Sequence, residues 1–263
     1  MGENKKQRLI LLDILRIVCA LLIYARHSIT MYGCTYGHSL DALFTGLTTP
    51  VMTCFFLLSG FSIHYQHRTE ELTAVWSRSF LKKRLISIMP SYLLVAVIWP
   101  VVYYEQVRDW ILLLPVNLIG VQTSYRTLFG IIHNGGTWFV SCMLLCYVCY
   151  PIIKAVLGSK DWVSWAVVII SHFLLMYSNV IISAFSLDGL YSNPIARTAE
   201  FIVGAGFAEV VLAEKMESCA KKSWGWKPVL ISLVLFSIST VISVFLGADV
   251  RMMIYGYYVI PAM

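Results

Sequence analysis

Of the chain's 263 residues, 59% are hydrophobic and only 13% are charged. A soluble domain carries about 25% charged residues, so this composition excludes an ordinary soluble enzyme and points to a chain used mostly in membrane spans. The net charge of +6 is no nucleic-acid signal, because the bases are confined to particular loops; the seven cysteines, an odd number lying mostly in apolar runs, imply no disulfide framework.

A span takes about 20 mostly apolar residues. In chain order the candidates are Leu9–Met31, Ala42–Tyr65, Leu85–Tyr104, Thr137–Leu157, Trp162–Ser183, Arg197–Ala213 and Val229–Gly247. An eighth begins near Met252, and the chain stops at Met263 in mid-helix. Trp110–Gly120 is apolar but too short to cross, and reads as an interfacial or re-entrant piece kinked at Pro115. The basic start followed by an apolar run imitates a signal peptide, yet Asp13 and Arg16 interrupt it and no small-residue cleavage site follows, so a retained first span is expected. The fold class is therefore all-α: a polytopic membrane helix bundle of about eight spans, a single domain over residues 1–263.

Lysine and arginine set the orientation. Lys5, Lys6 and Arg8 precede the first span, five bases from Arg68 to Arg84 follow the second, Lys154 and Lys160 follow the fourth, and four lysines from Lys215 to Lys227 follow the sixth. That places fourteen on one side against Arg108, Arg126, Arg197 and Arg251 on the other. By the positive-inside rule the N-terminus is expected in the cytoplasm, and the spans alternate without conflict.

The first span holds the main anomaly, since "LDILRIVCALLIYARHS" carries Asp13, Arg16, Arg26 and His27 in an apolar helix. At about 100° and 1.5 Å per residue, Arg16 and His27 share a face and lie about 16 Å apart along the axis. Asp13 falls on the same stripe and can pair with Arg16 at the i, i+3 spacing. One reading is an ion pair tying the helix to its neighbours, with His27 at the interface. The other is a polar path with an anion site at Arg16 and a proton acceptor at His27, because ionisable groups inside a membrane mark functional sites by default and a neutral histidine serves as a general base. Arg26 lies about 80° round the helix from Arg16 and suits a snorkelling position at the outer edge.

Several stretches resemble the membrane acyltransferases of the acyltransferase-3 type, which O-acylate bacterial surface polysaccharides and related molecules. The first span resembles that family's "LDxLRxxA" opening and its arginine-x10-histidine pair, matched by Arg16 and His27. "FFLLSGFSI" (Phe55–Ile63), "FLKKRLISIMPSY" (Phe80–Tyr92), "GTWFVSCMLLCYVCYPII" (Gly136–Ile153) and "RTAEFIVGAGFA" (Arg197–Ala208) resemble further family motifs in the family's order. Ser87 stands where the family usually repeats an arginine after Arg84, and the family's usual ten or so spans exceed those visible here, so the chain is expected to be C-terminally incomplete.

The resemblance implies an O-acyltransferase of the bacterial cytoplasmic membrane, taking an acyl group, expected to be acetyl, from cytoplasmic acyl-CoA to a hydroxyl of an envelope glycan. His27 would be base or transient acyl carrier, Arg16 would orient the donor, and Asp13 would hold Arg16. Lys82, Lys83 and Arg84, at the mouth of the third span, touch anionic headgroups on the plain reading; on the functional one they meet the donor's phosphates, with Arg84 favoured for its bidentate fork and Arg68 a weaker candidate. Arg197 and Glu200, one turn apart, either pair with each other or orient the acceptor, alongside Trp138 and Ser141 on the fourth span. Cys142, Cys146 and Cys149, and the pair His64 and His67, have spacings a metal would tolerate, but packing and headgroup roles suit them better, so no metal is expected. The lipid bilayer, acyl-CoA and the glycan are the expected partners. Two other classes stay open: a transporter whose permeation path the charged stripe would line, and a non-catalytic sensing module.

Overall fold

The computed structural model describes residues 10–102, 137–159, 161–176 and 191–212, with isolated positions at 111, 115 and 184. The described residues are helical and contain no strand. In chain order the helices are α1 (Ile10–Tyr32), α2 (His38–His67), α3 (Ala74–Val102), α4 (Thr137–Leu157), α5 (Asp161–Met176) and α6 (Pro194–Leu212). The seventh and eighth expected spans lie outside the described residues, as does Trp110–Gly120 apart from Ile111 and Pro115.

Among the described residues, two helices are long and apolar enough to cross a membrane, Leu12–Tyr32 and Thr137–Leu157. A third joins them if α2 is taken as one span, since its parts His38–Thr48 and Val51–His67 are bent by 42° at the break. Pro50 sits in that break, and its missing N–H removes one rung of the helical ladder. α3 begins eleven residues before the expected Leu85, because Thr73 caps it: the Thr73 Oγ1 accepts from the Trp76 N–H at 3.1 Å. Its 29 residues extend for about 43 Å at 1.5 Å each, more than the roughly 30 Å hydrocarbon layer, so the basic first half need not compete with the apolar second half. A second cap moves the start of α6 to Pro194: the Asn193 Oδ1 accepts from the N–H groups of Ile195 at 2.9 Å and Ala196 at 3.4 Å, and proline at the first helical position loses no bond.

The core is built around α6, which packs on α2, α5 and α4. Its crossing with α2 is a main-chain contact. A Cβ on Gly60 would lie 2.8 Å from the Phe201 carbonyl carbon, and one on Gly204 would lie 2.8 Å from that of Leu57. Small residues allow such an approach where apolar packing in lipid gives little drive of its own. One cluster, including Leu57, Leu58 and Val203, joins α1, α2, α5 and α6; a second, including Phe56, Tyr150 and Phe201, joins α2, α3, α4 and α6. α1 is peripheral: Ile14, Ile17, Val18 and Leu21 are exposed on one flank, the surface that lipid tails would cover.

Candidate functional site

Arg16 turns from α1 onto α2. Its guanidinium donates to Asp13 Oδ1 at 2.9 Å, to the Leu58 carbonyl at 3.3 Å and to the Ser62 hydroxyl. The i, i+3 pair expected from the sequence is therefore present, and the same arginine also bridges two helices. About a third of Arg16 and of Asp13 remains exposed.

Arg84 belongs to a cleft of 390 Å³ beside this end of the bundle, lined by His67, Glu70, Trp76, Phe80, Lys83, Arg84 and Ser87. Its guanidinium carbon stands 5.4 Å from the centre of the Phe80 ring and 5.6 Å from that of Tyr147, an arrangement that holds the cation without neutralising it. Trp76 stacks on Phe80 with centroids 5.3 Å apart. Glu70 accepts from Trp76 Nε1 at 2.5 Å and meets His67 Nδ1 at 2.8 Å; since a carboxylate only accepts, the proton of that second bond sits on Nδ1. Of the four expected donor-side cations, Lys83 and Arg84 line the cleft. Lys82 is exposed on the neighbouring face of α3. Arg68 caps the end of α2, its N–H donating to the His64 carbonyl at 2.8 Å.

The back wall of this corner was not read from the sequence. Tyr147, Tyr150 and Lys154 recur at i, i+3 and i+7 on α4, one face of a helix, and the Tyr-x2-Tyr-x3-Lys spacing in an otherwise apolar span was the available signal. Tyr150 is fully buried, its hydroxyl 3.3 Å from His64 Nδ1 and 3.4 Å from the Ile63 carbonyl. The buried His64 meets Glu209 of α6 through Nε2 at 2.7 Å. Lys154 donates to the carbonyls of His67, at 2.6 Å, and Glu70. His64 and His67 thus each face a carboxylate, and among the described residues no group of three or more His, Cys, Asp or Glu side chains is placed to hold a metal.

A second polar cluster lies at the N-terminal end of α6. Arg197 and Glu200 are both 0% exposed and pair at 2.8 and 2.9 Å. Arg197 also donates to the Tyr191 carbonyl at 2.7 and 2.9 Å, and Thr53 donates to Glu200 at 2.8 Å. Phe56, Trp138 and Tyr191 surround the guanidinium with ring centres at 5.5 to 5.6 Å. Of the two sequence readings, mutual pairing is the geometry seen. The Trp138 ring lies against the Arg197 guanidinium, and Ser141, one turn further along α4, is buried with its hydroxyl unbonded among the described residues. His27 is exposed near the far end of α1. Burial raises the Tyr191 phenol above its ordinary pKa, while the charges of Arg197 and Arg26 pull it down.

α1 therefore carries an arginine anchored beside a cationic, aromatic cleft at one end and an exposed histidine at the other. Residues 9–263 match the acyltransferase domain of family 3. The chain belongs to this acyltransferase family. Comparisons with curated proteins and with solved structures gave no match. Membership makes it a membrane acyltransferase, and an acyltransferase requires an acyl donor.

Proposed function

We propose that this acyltransferase is an O-acetyltransferase of the bacterial cytoplasmic membrane, with its N-terminus in the cytoplasm and about eight spans, moving an acetyl group from cytoplasmic acetyl-CoA to a hydroxyl of an envelope glycan. The observation that carries this reading is a cleft lined by Lys83 and Arg84 at the end of the bundle where Arg16 is anchored to Asp13, Leu58 and Ser62, with His27 on the same stripe of α1 about 16 Å further along.

Lys83 and Arg84 hold the phosphates of the donor at the cleft, with Lys82 and Arg68 adding positive field at its margin. Arg16, fixed by Asp13 and Ser62, orients the donor's acyl end along α1. His27 accepts the proton of the acceptor hydroxyl as its oxygen bonds to the acyl carbon; the carbon–sulfur bond breaks, and the sulfur leaves with the electron pair and takes up a proton. The buried cluster of Trp138, Arg197, Glu200 and Ser141 shapes the wall behind the glycan.

The test is acetyl transfer from radiolabelled acetyl-CoA in inside-out vesicles holding equal amounts of wild type, Arg16→Ala and His27→Ala. Wild-type transfer with release of CoA, lost in both variants, is the expected result. Consumption of acetyl-CoA that is equal in all three would remove the first-span site. A wild type that consumes none would remove acetyl-CoA as donor.

A further inference from the structure

Lys154 has no part in the transfer chemistry, yet it is 6% exposed near the end of an apolar helix. Burying an ammonium is costly unless its three donors are satisfied. What satisfies this one is specific: the main-chain carbonyls of His67 and Glu70, and the face of Trp76, whose centroid lies 4.2 Å from Nζ. Those three residues form one side of the cleft, and Lys83, Arg84 and Ser87 lie along another part of its wall. The ammonium sits behind the α2–α3 turn and holds it by its backbone.

The turn has its own internal ties. Glu70 links His67 to Trp76, Trp76 stacks on Phe80, and Arg84 lies over Phe80. Moving the His67–Glu70 backbone would therefore shift Trp76 and Phe80, and with them the platform on which Arg84 rests. From α4, Lys154 ties this network to the bundle; Tyr150, one turn earlier, does the same for the last turn of α2 through Ile63 and His64.

We infer that Lys154 is a positioning residue for the donor cleft: it fixes the α2–α3 turn so that Lys83 and Arg84 meet the donor's phosphates at a set spacing. The inference rests on the reading of this cleft as the acyl-CoA site. Arginine can supply the same donors with a longer, flatter head, whereas methionine keeps the stem and loses every bond.

The experiment uses the full chain in lipid nanodiscs, with coenzyme A as the binding probe and Arg84→Gln as the reference for the cleft. In Lys154→Met, amide exchange should accelerate across residues 67–76 while the Gly60–Gly204 crossing keeps its protection. Its affinity for coenzyme A should fall about tenfold and its KM for acetyl-CoA rise by the same factor, with kcat held within about twofold. Lys154→Arg should recover most of the affinity. Unchanged exchange across 67–76 overturns the inference. So does faster exchange with undiminished coenzyme A binding, provided Arg84→Gln loses that binding. If wild type holds no coenzyme A and Arg84→Gln behaves identically, the donor reading itself fails, and the role given to Lys154 falls with it.

Discussion

Gly60 of α2 and Phe201 of α6 meet main chain to main chain, and the reciprocal contact of Gly204 with Leu57 makes the crossing double-sided. The same stretch of α2 presents Leu58 and Ser62 to Arg16, while the flanking turns of α6 carry Glu200 and Glu209. The crossing thereby sets the distance between the Arg16 end and the Arg197 cluster. Gly60→Ala places a methyl against a carbonyl group that cannot rotate away. Overpacking costs about 1–3 kcal/mol, and a backbone neighbour puts this case at the upper end. Thermal unfolding in detergent should show a clear fall in midpoint for Gly60→Ala and none for Gly46→Ala, whose site has no atom within 4 Å. A Gly60→Ala variant melting with wild type would mean the helices do not approach this closely.

The buried Arg197–Glu200 pair leads to a different expectation. Removing one partner strands a charge in a fully buried site, at a cost of about 3–5 kcal/mol. Glu200→Gln and Arg197→Met should each destabilise the protein strongly. The double variant Arg197→Met/Glu200→Leu removes both charges and should recover much of that loss. Folded yield and unfolding midpoint measure this. Equal damage in the double and the single variants would show that the cluster serves more than mutual neutralisation.

Much of the bundle was legible in the sequence, because lipid demands long apolar runs and base-rich loops. α1 and α4 fall within a residue of the expected spans, and the Asp13–Arg16 pair follows from helical spacing alone. The start of α3 was not legible from hydropathy, since a cap at Thr73 carries the helix through a polar, basic stretch. The start of α6 was similarly set by Asn193 and Pro194, a local signal that a window of 20 or so residues averages out. Least legible were the long-range partners: nothing in the spacing of His64 points to Glu209, and Lys154 reads as an ordinary orientation signal until α4 is packed against the turn after α2. Arg16 was visible as an ionisable group on a stripe, but Ser62 as its acceptor was not.

His64 and Glu209 link α2 to α6 away from the proposed transfer path. The pair joins a fully enclosed imidazole to a carboxylate that is 29% exposed. Its worth is measurable as a coupling energy: His64→Gln, Glu209→Gln and the double variant should give a non-additive stability of about 0.5–3 kcal/mol. Additive losses would mean that the two side chains are neighbours without a mutual contribution.

Arg16 reaches Asp13, Leu58 and Ser62 together because a guanidinium presents a planar fork of donors. A lysine has a single head and cannot span Asp13 and Ser62 at once. A hydrogen bond to a charged group is worth about 1.5–3 kcal/mol, which corresponds to roughly a tenfold to hundredfold change at about 1.4 kcal/mol per decade. Arg16→Lys should therefore lower acetyl transfer by that range, and Ser62→Ala by less, since Leu58 and Asp13 remain. Transfer rates at equal membrane abundance decide this. An Arg16→Lys enzyme at the wild-type rate would leave positive charge, and not the fork, as the requirement.

Ser87 lines the cleft one turn beyond Lys83 and Arg84 on α3. Ser87→Arg should add a cation facing the same space. An exposed charge interaction is worth up to about 1 kcal/mol, so the KM for acetyl-CoA should fall about two- to fivefold at low ionic strength. Screening over a Debye length of about 8 Å at 0.15 M salt should erase much of that gain, which separates an electrostatic effect on the donor from a change in packing. A salt series of KM on wild type and Ser87→Arg is the direct measurement. If the added arginine leaves KM and its salt dependence where they were, the donor's phosphates do not lie along this face of α3, and the cations at Lys83 and Arg84 are then anchors for lipid headgroups.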